Sequence, residues 1–158
     1  MHNSVVIVTG GCSGIGLAIT ARFVRAGASI AVLDVNEEKL AACSAQFPEG
    51  QVLPIQCDVT CPEQVQAAVD RVVCTFGRVD VLVNNAGGSF GVSQPLDQIA
   101  EEEWDRVVNL NLKAVFLCIK AVLPQMKRQN YGRIINISSM AGRGRSVLGG
   151  APYAAAKA

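Results

Sequence analysis

The chain has 158 residues, with 14 basic and 13 acidic side chains for a formal net charge of +1, and half of its residues are apolar. That length and apolar share suit one domain over residues 1–158 with a sizeable buried core. A balanced charge without a basic run argues against a nucleic-acid or anionic-membrane partner, and no stretch approaches the ~20 apolar residues needed to span a bilayer.

Short apolar runs alternate with amphipathic segments. The N-terminus passes almost at once into Ser4-Val-Val-Ile-Val-Thr-Gly with no charged leader or cleavage site, so Val5 to Val8 reads as a first strand and the cytoplasm as the location. A helix is expected from near Gly14, with Ile15, Ile19, Phe23 and Ala26 on its inward stripe and Gly27 as its stop. Ile30 to Leu33 follows as the second strand, then a helix from Glu37 that Asn36 is able to cap. Val52 to Gln56 is the third strand. Thr60-Cys61-Pro62-Glu63 has the form of a capping box with proline in the first turn, which starts the third helix near Cys61. Val79 to Val83 is the fourth strand, a further helix begins near Glu101, and Arg133 to Ile137 is the fifth strand. Continuous apolar runs imply strands covered on both faces, and the βαβα rhythm predicts an α/β fold with a doubly wound parallel sheet and right-handed crossovers.

Six cysteines, at positions 12, 43, 57, 61, 74 and 118, form no C-x-x-C pair, and the one histidine is His2. These spacings predict no metal site, and thiols that stay free in a reducing compartment. A serine-histidine-aspartate triad is excluded from the body of the domain. The base this protein uses is not imidazole.

The first strand ends in Thr9-Gly10-Gly11-Cys12-Ser13-Gly14-Ile15-Gly16 and runs straight into a helix. Gly10 permits the tight turn, Gly14 lets backbone approach a pyrophosphate, and Gly16 lets the helix pack on the sheet, with the phosphates at the helix N-terminus. Asp34 closes the second strand, where a carboxylate accepts hydrogen bonds from adenosine ribose hydroxyls; an ordinary strand-end aspartate is the alternative reading. A carboxylate there repels the 2′-phosphate of NADP. Gly11, Cys12, Ser13 and Val35 offer no cation to offset it, so NAD is favoured over NADP.

Near the C-terminal end stand Ser139, Tyr153 and Lys157. The Y-x-x-x-K spacing puts phenol and ammonium on one helix face about 40° apart. An adjacent cation stabilises a phenolate, and moving tyrosine from near 10 to near 7 takes roughly 4 kcal/mol. Such a tyrosine serves as both general acid and general base. That tetrapeptide spacing alone carries little weight.

Taken together, T-G-x-x-x-G-x-G, the Asn84-Asn85-Ala86-Gly87 run, Asn111, and the serine with Y-x-x-x-K resemble the classical short-chain dehydrogenase/reductase family over essentially the whole chain. The resemblance implies a Rossmann-like NAD(P)-binding domain and an oxidoreductase that interconverts an alcohol and a ketone, of a kind such as a 3-oxoacyl reductase. It implies Tyr153 as acid/base, with Lys157 lowering its pKa and holding the nicotinamide ribose. Ser139 would bond the substrate oxygen, and Asn111 would hold a water in a proton relay. Gly10, Ser13, Gly14, Ile15, Gly16 and Asp34 would bind the cofactor, Asp58 and Val59 its adenine, and Asn85, Ala86 and Gly87 its course along the fourth strand. The complete form would be a homodimer or homotetramer, and its partner a small-molecule alcohol or ketone.

Ser139 lies 14 residues before Tyr153, one more than is commonest in the family, across a loop carrying Gly142, Gly144, Gly149 and Gly150 that is able to absorb the extra residue. Arg143 and Arg145 in that loop are either solvated charges or contacts for an acidic substrate, and Ser89 and Phe90 are either pocket residues or, for Phe90, core. Against the family pattern, roughly the last third is missing, including further strands and the substrate-covering helices. The expectation is therefore a fragment without useful turnover of an NAD-dependent enzyme; the alternative is a non-catalytic dinucleotide-binding or dimer-interfering module. The fifth strand is then expected to expose an apolar edge.

Overall fold

Valine-rich segments that bury both faces form the centre of the computed structural model, which describes residues 3–144 and 149–158. Five parallel strands, β1 (Val5–Thr9), β2 (Ser29–Asp34), β3 (Val52–Gln56), β4 (Val81–Asn84) and β5 (Arg133–Asn136), stand in the order β3-β2-β1-β4-β5. His2 and Arg145 lie outside the described residues.

Alternate strand residues feed two cores, as a period of two requires. Ile7, Ala31, Leu33 and Leu82 meet α3 (Pro62–Phe76) and α5 (Ala114–Arg128) through Val65, Val69, Val72, Cys118 and Val122. Val6, Val8, Ile30, Val32, Val81 and Val83 face the other way, onto Leu17, Ile19 and Phe23 of α1 (Gly14–Arg25) and Leu40 and Cys43 of α2 (Glu37–Ser44). The expected doubly wound parallel sheet is what the chain forms.

Local chemistry sets the boundaries. Asn36 caps α2, accepting the Lys39 N–H at 2.8 Å, and Gly27 takes φ +79 just past α1. Two expectations about helix starts need correction. Ile15 does not join the α1 stripe; it is 66% exposed, because Gly16 and Thr20 are the positions that bury. The capping box does not form: Asp58 Oδ1 accepts both the Thr60 N–H (2.8 Å) and its hydroxyl (2.7 Å), so Thr60 turns back and Cys61 becomes the N-cap without a side-chain bond. Glu63 instead accepts the Cys61 thiol at 3.3 Å.

β4 starts at Val81 and not at Val79, because Asp80 acts as a junction before it. Its carboxylate accepts the Val5 N–H at 2.8 Å and pairs with Arg78, while its own N–H donates to Val5 O and its carbonyl accepts from Arg133. One residue thereby ties the entries of β1, β4 and β5.

α4 (Glu101–Val108), a π-helical segment (Asn109–Lys113) and α5 form one run, Glu101–Arg128, of 28 residues. By length and composition alone that run is apolar enough to cross a membrane, against the expectation that no stretch approaches a bilayer span. Its stripe of Val107, Leu117, Cys118, Val122 and Met126 is buried, and Leu112, Phe116 and Leu123 face outward. The β5 edge is exposed as expected, with Ile135 at 42%.

Two outcomes are expected. Asp80→Ala leaves the Val5 N–H buried without an acceptor and lowers unfolding free energy by about 2 kcal/mol in urea titration. Burial pushes the thiols of Cys57 and Cys118 up to about 11 and about 12. A group with a raised folded pKa contributes fully below its unfolded value and loses that contribution as pH climbs through the folded one. Urea midpoints measured against pH therefore fall above about pH 9 and not between 6 and 8.

Candidate active site

β1 and β4 are neighbours, and the chain leaves them toward opposite faces, which opens a crevice at their carboxyl ends. Side chains latch the two ends together. Thr9 Oγ1 accepts the N–H groups of Asn85 and Ala86, each at 3.0 Å, and Asn85 Nδ2 donates to the carbonyls of Thr9 (3.0 Å) and Gly10 (3.1 Å). α1 presses against this latch: a Cβ at Gly16 would overlap the Gly10 carbonyl and come within 2.6 Å of Asn85 Nδ2. The turn needs φ +62 at Gly10 and +49 at Gly14. Thr20 and Cys43 fix it from below, both donating to the Gly11 carbonyl.

The N-terminus of α1 opens into the crevice. Ser13 makes no side-chain cap and the first turn carries no acidic residue. Its amides lack intrahelical acceptors and the helix dipole favours an anion there.

A cleft of about 560 Å³ runs from this turn in both directions. At one end stand Asp34 and Asp58. Asp34 Oδ1 accepts the Asn36 N–H at 3.1 Å, and the Asp58 N–H donates to Gln64 Oε1 at 2.8 Å. At the other end stand Ser139, Tyr153 and Lys157, the last two on α6 (Ala151–Lys157). Gly10, Ser13, Gly14, Ile15, Gly16, Val59, Asn85, Ala86 and Gly87 line the stretch between, so every position expected to bind cofactor borders one cavity. The exposure that removed Ile15 from the core places it here.

Lys157 is buried, its Nζ donates to the Ile137 carbonyl at 3.0 Å, and burial pulls its pKa below the ordinary lysine value. Asn111 lies a step behind the cleft wall, in the π segment. Its Nδ2 donates to Gly88 O and Val107 O, both at 2.8 Å, and its Oδ1 accepts the Gly88 N–H at 3.1 Å. Asn111 and Lys157 converge on Gly87, where a Cβ would lie 2.7 Å from Asn111 Oδ1 and 3.1 Å from Lys157 Nζ. Ser139 accepts the Ala141 N–H at 3.2 Å and so caps the turn Met140–Arg143.

Neither Ser89 nor Phe90 borders the cleft, and Phe90 is not core. Phe90 takes φ +53, is 46% exposed and carries the Arg106 guanidinium 3.9 Å above its ring. Two glycines of the loop before α6 are packed, since Gly150 donates to Val92 O at 3.0 Å and a Cβ at Gly142 would overlap the Lys157 carbonyl, whereas Gly144 is exposed. Val35 lines the cleft beside Asp34, and Leu33, Cys57, Leu110, Ile137 and Ser138 also line it without having been anticipated. Most of these flank an anticipated residue, and that adjacency was the available signal. Leu110 owes its place to the π segment, which no sequence period announces.

A family model described as short chain dehydrogenase matches residues 4–158. A 3-oxoacyl-acyl-carrier-protein reductase of Thermotoga maritima is 40% identical over 144 residues, covering 90% of this chain and 58% of that protein. Among solved structures, levodione reductase superposes with a TM-score of 0.93 at 37% identity, covering 99% of this chain and 62% of that one. NAD+-bound xylitol dehydrogenase gives 0.91 at 40% identity, with 99% and 60% covered. The chain thus spans about three-fifths of the length of these three relatives.

The crowding at Gly16 sets an expected outcome. Gly16→Ala forces a methyl group against the Gly10 backbone, so it should lower the melting temperature by several degrees. Calorimetry reads the shift. A variant with an unchanged melting temperature would contradict the close approach.

Proposed function

Because this chain belongs to the short-chain dehydrogenase family, we propose that its cleft holds a nicotinamide dinucleotide and that the protein interconverts an alcohol and a ketone. The observation that carries the reading is one cavity with an uncapped helix N-terminus at its middle, carboxylates at one end, and a serine, a tyrosine and a buried lysine at the other.

The residues present fit such a group. The first-turn amides of α1 suit pyrophosphate oxygens, and the bare backbone at Gly14, where a Cβ would meet nothing within 4 Å, leaves room for them. Asp34 would accept from ribose hydroxyls, and Asp58 and Val59 would flank the adenine. Asn85, Ala86 and Gly87 would border the course toward Lys157. When bound, the nicotinamide supplies hydride transfer. The chain's own task is to orient the substrate carbon and move one proton.

In the oxidation direction, Tyr153 takes the hydroxyl proton onto its phenolate oxygen; in reduction it returns it. Ser139 donates to the substrate oxygen as that oxygen gains charge. Lys157 supplies the positive charge that makes a phenolate accessible, and its burial strengthens that interaction by removing competing water. Asn111 fixes the Gly88 backbone beside the amine and would order the relay that refills Lys157.

Asp34 favours NAD over NADP, since no basic side chain among Gly11, Cys12, Ser13 and Val35 offsets its charge against a 2′-phosphate. We place the complete protein in the cytoplasm as a homodimer or homotetramer, acting on a small alcohol or ketone. A 3-oxoacyl thioester is one candidate, in keeping with the name of one similar protein.

Two measurements test this reading. In fluorescence titration NADH should bind at least tenfold more tightly than NADPH; equal or tighter NADPH binding would overturn the cofactor preference. In a substrate screen of the complete protein with NAD, Tyr153→Phe should reduce turnover at least a hundredfold while NADH affinity stays within twofold. Turnover that survives the change would remove Tyr153 from the chemistry, whereas tight NADH binding without turnover on any alcohol would favour a binding module.

A further inference from the structure

Past the end of β5, two consecutive residues grip one residue of α6. Ile137 offers its carbonyl to Lys157 Nζ at 3.0 Å, and Ser138 donates its hydroxyl to the Lys157 carbonyl oxygen at 2.6 Å. Lys157 is thus anchored at its tip and at its backbone by one strand end. A third contact bears on the same carbonyl: a Cβ at Gly142 would overlap it and lie 2.6 Å from Ala158 N. The turn Met140–Arg143 therefore lies flat against the end of α6. Ser139 caps that turn while Ser138 is committed to Lys157, so the two adjacent serines do different work.

A lysine has a long flexible stem, so a bond at its ammonium alone leaves the tip free to follow any shift of the helix beneath it. Fixing the main-chain carbonyl removes that freedom. We propose that Ser138 is a positioning residue: its bond to the Lys157 carbonyl holds the ammonium where it stabilises the Tyr153 phenolate. The inference rests on the reading of Tyr153 and Lys157 as an acid–base pair. Coulomb attraction between two charges in a water-poor site changes steeply with separation, so a small retreat of the amine is felt by the phenol.

The other charges on elements packed against α6 do not supply this effect. On α4, Glu101, Glu102 and Asp105 are exposed, Glu103 is bonded to Gln94 and Ala100, and Arg106 lies on Phe90. Lys113 and Arg143 are exposed, and Asp34 and Asp58 belong to the far end of the cleft.

The chain has two tyrosines, so Tyr131→Phe leaves Tyr153 as the sole phenol, and its ionisation is read directly from phenolate ultraviolet absorbance against pH. In that background Ser138→Ala should raise the midpoint by about half a unit, roughly a threefold loss of phenolate at a given pH. Ser138→Thr, which keeps the hydroxyl, should restore it. Lys157→Met is the control for the underlying pair and should raise the midpoint by at least one unit. If Lys157→Met raises it and Ser138→Ala does not, the role of Ser138 is overturned and the pair stands. If Lys157→Met has no effect, the pair fails and the proposal with it. A rise in Ser138→Ala that Ser138→Thr does not reverse would mark a packing effect and also overturn the proposal. Should the alanine variant lack the native circular dichroism spectrum, Ser138→Cys, a weaker donor of similar size, replaces it: a raised midpoint supports the role and an unmoved one overturns it.

Discussion

The latch between Thr9 and Asn85 is the constraint on which the rest of this molecule depends. Two strands that lead to opposite faces of a sheet diverge at their carboxyl ends, and the crevice they leave exposes backbone groups that sheet pairing no longer serves. Thr9 and Asn85 satisfy those groups mutually with four bonds of 3.0–3.1 Å. The crevice is held at a fixed width, and α1 is able to close on it only because residue 16 has no side chain. The anion-attracting helix end and the strand that leads to Gly87 are therefore positioned by one set of contacts.

Much of this was legible in the chain itself. Runs such as Val5-Val-Ile-Val and Ile30-Ala-Val-Leu announce strands buried on both faces, and the order of segments leaves few ways to wind them. The cleft was legible because it is lined by residue types with narrow conformational uses: glycines at turns, an aspartate at a strand end, a phenol and an amine one helical turn apart. What was not legible was competition between partners for one group. Thr60 has every feature of a cap, yet Asp58, two residues earlier, takes its hydroxyl first. Ile15 keeps helical period with the core stripe, yet the helix end sits on a crevice and not on a sheet face, so its side chain lines a cavity. Phe90 looks like core by composition and is held by a cation above its ring.

Burial of Lys157 is an unfavourable feature that the fold offsets only in part. An ammonium removed from water is destabilised, and its pKa falls accordingly. The Ile137 carbonyl compensates in part while leaving two of the three ammonium protons for other acceptors. A phenolate or a ribose hydroxyl nearby would meet an amine that is oriented, poorly hydrated and only partly satisfied. Such a cation interacts more strongly than the same group at the surface.

The π segment at Asn109–Lys113 bears on how this chain tolerates change over evolution. It inserts a fraction of a turn into an otherwise continuous helix, so the side chains before and after it follow two different angular phases. Asn111 reaches Gly88 and Val107 at once only because it sits where the phases meet. Gaining or losing one residue there would swing everything on one side of the change by about 100° relative to the other. Val107 and Val122 would no longer both be buried. Chain length is thus fixed over this segment as firmly as residue identity is at Gly16, whereas the exposed turn at residues 48–50, ahead of β3, answers to no such phase and is free to drift.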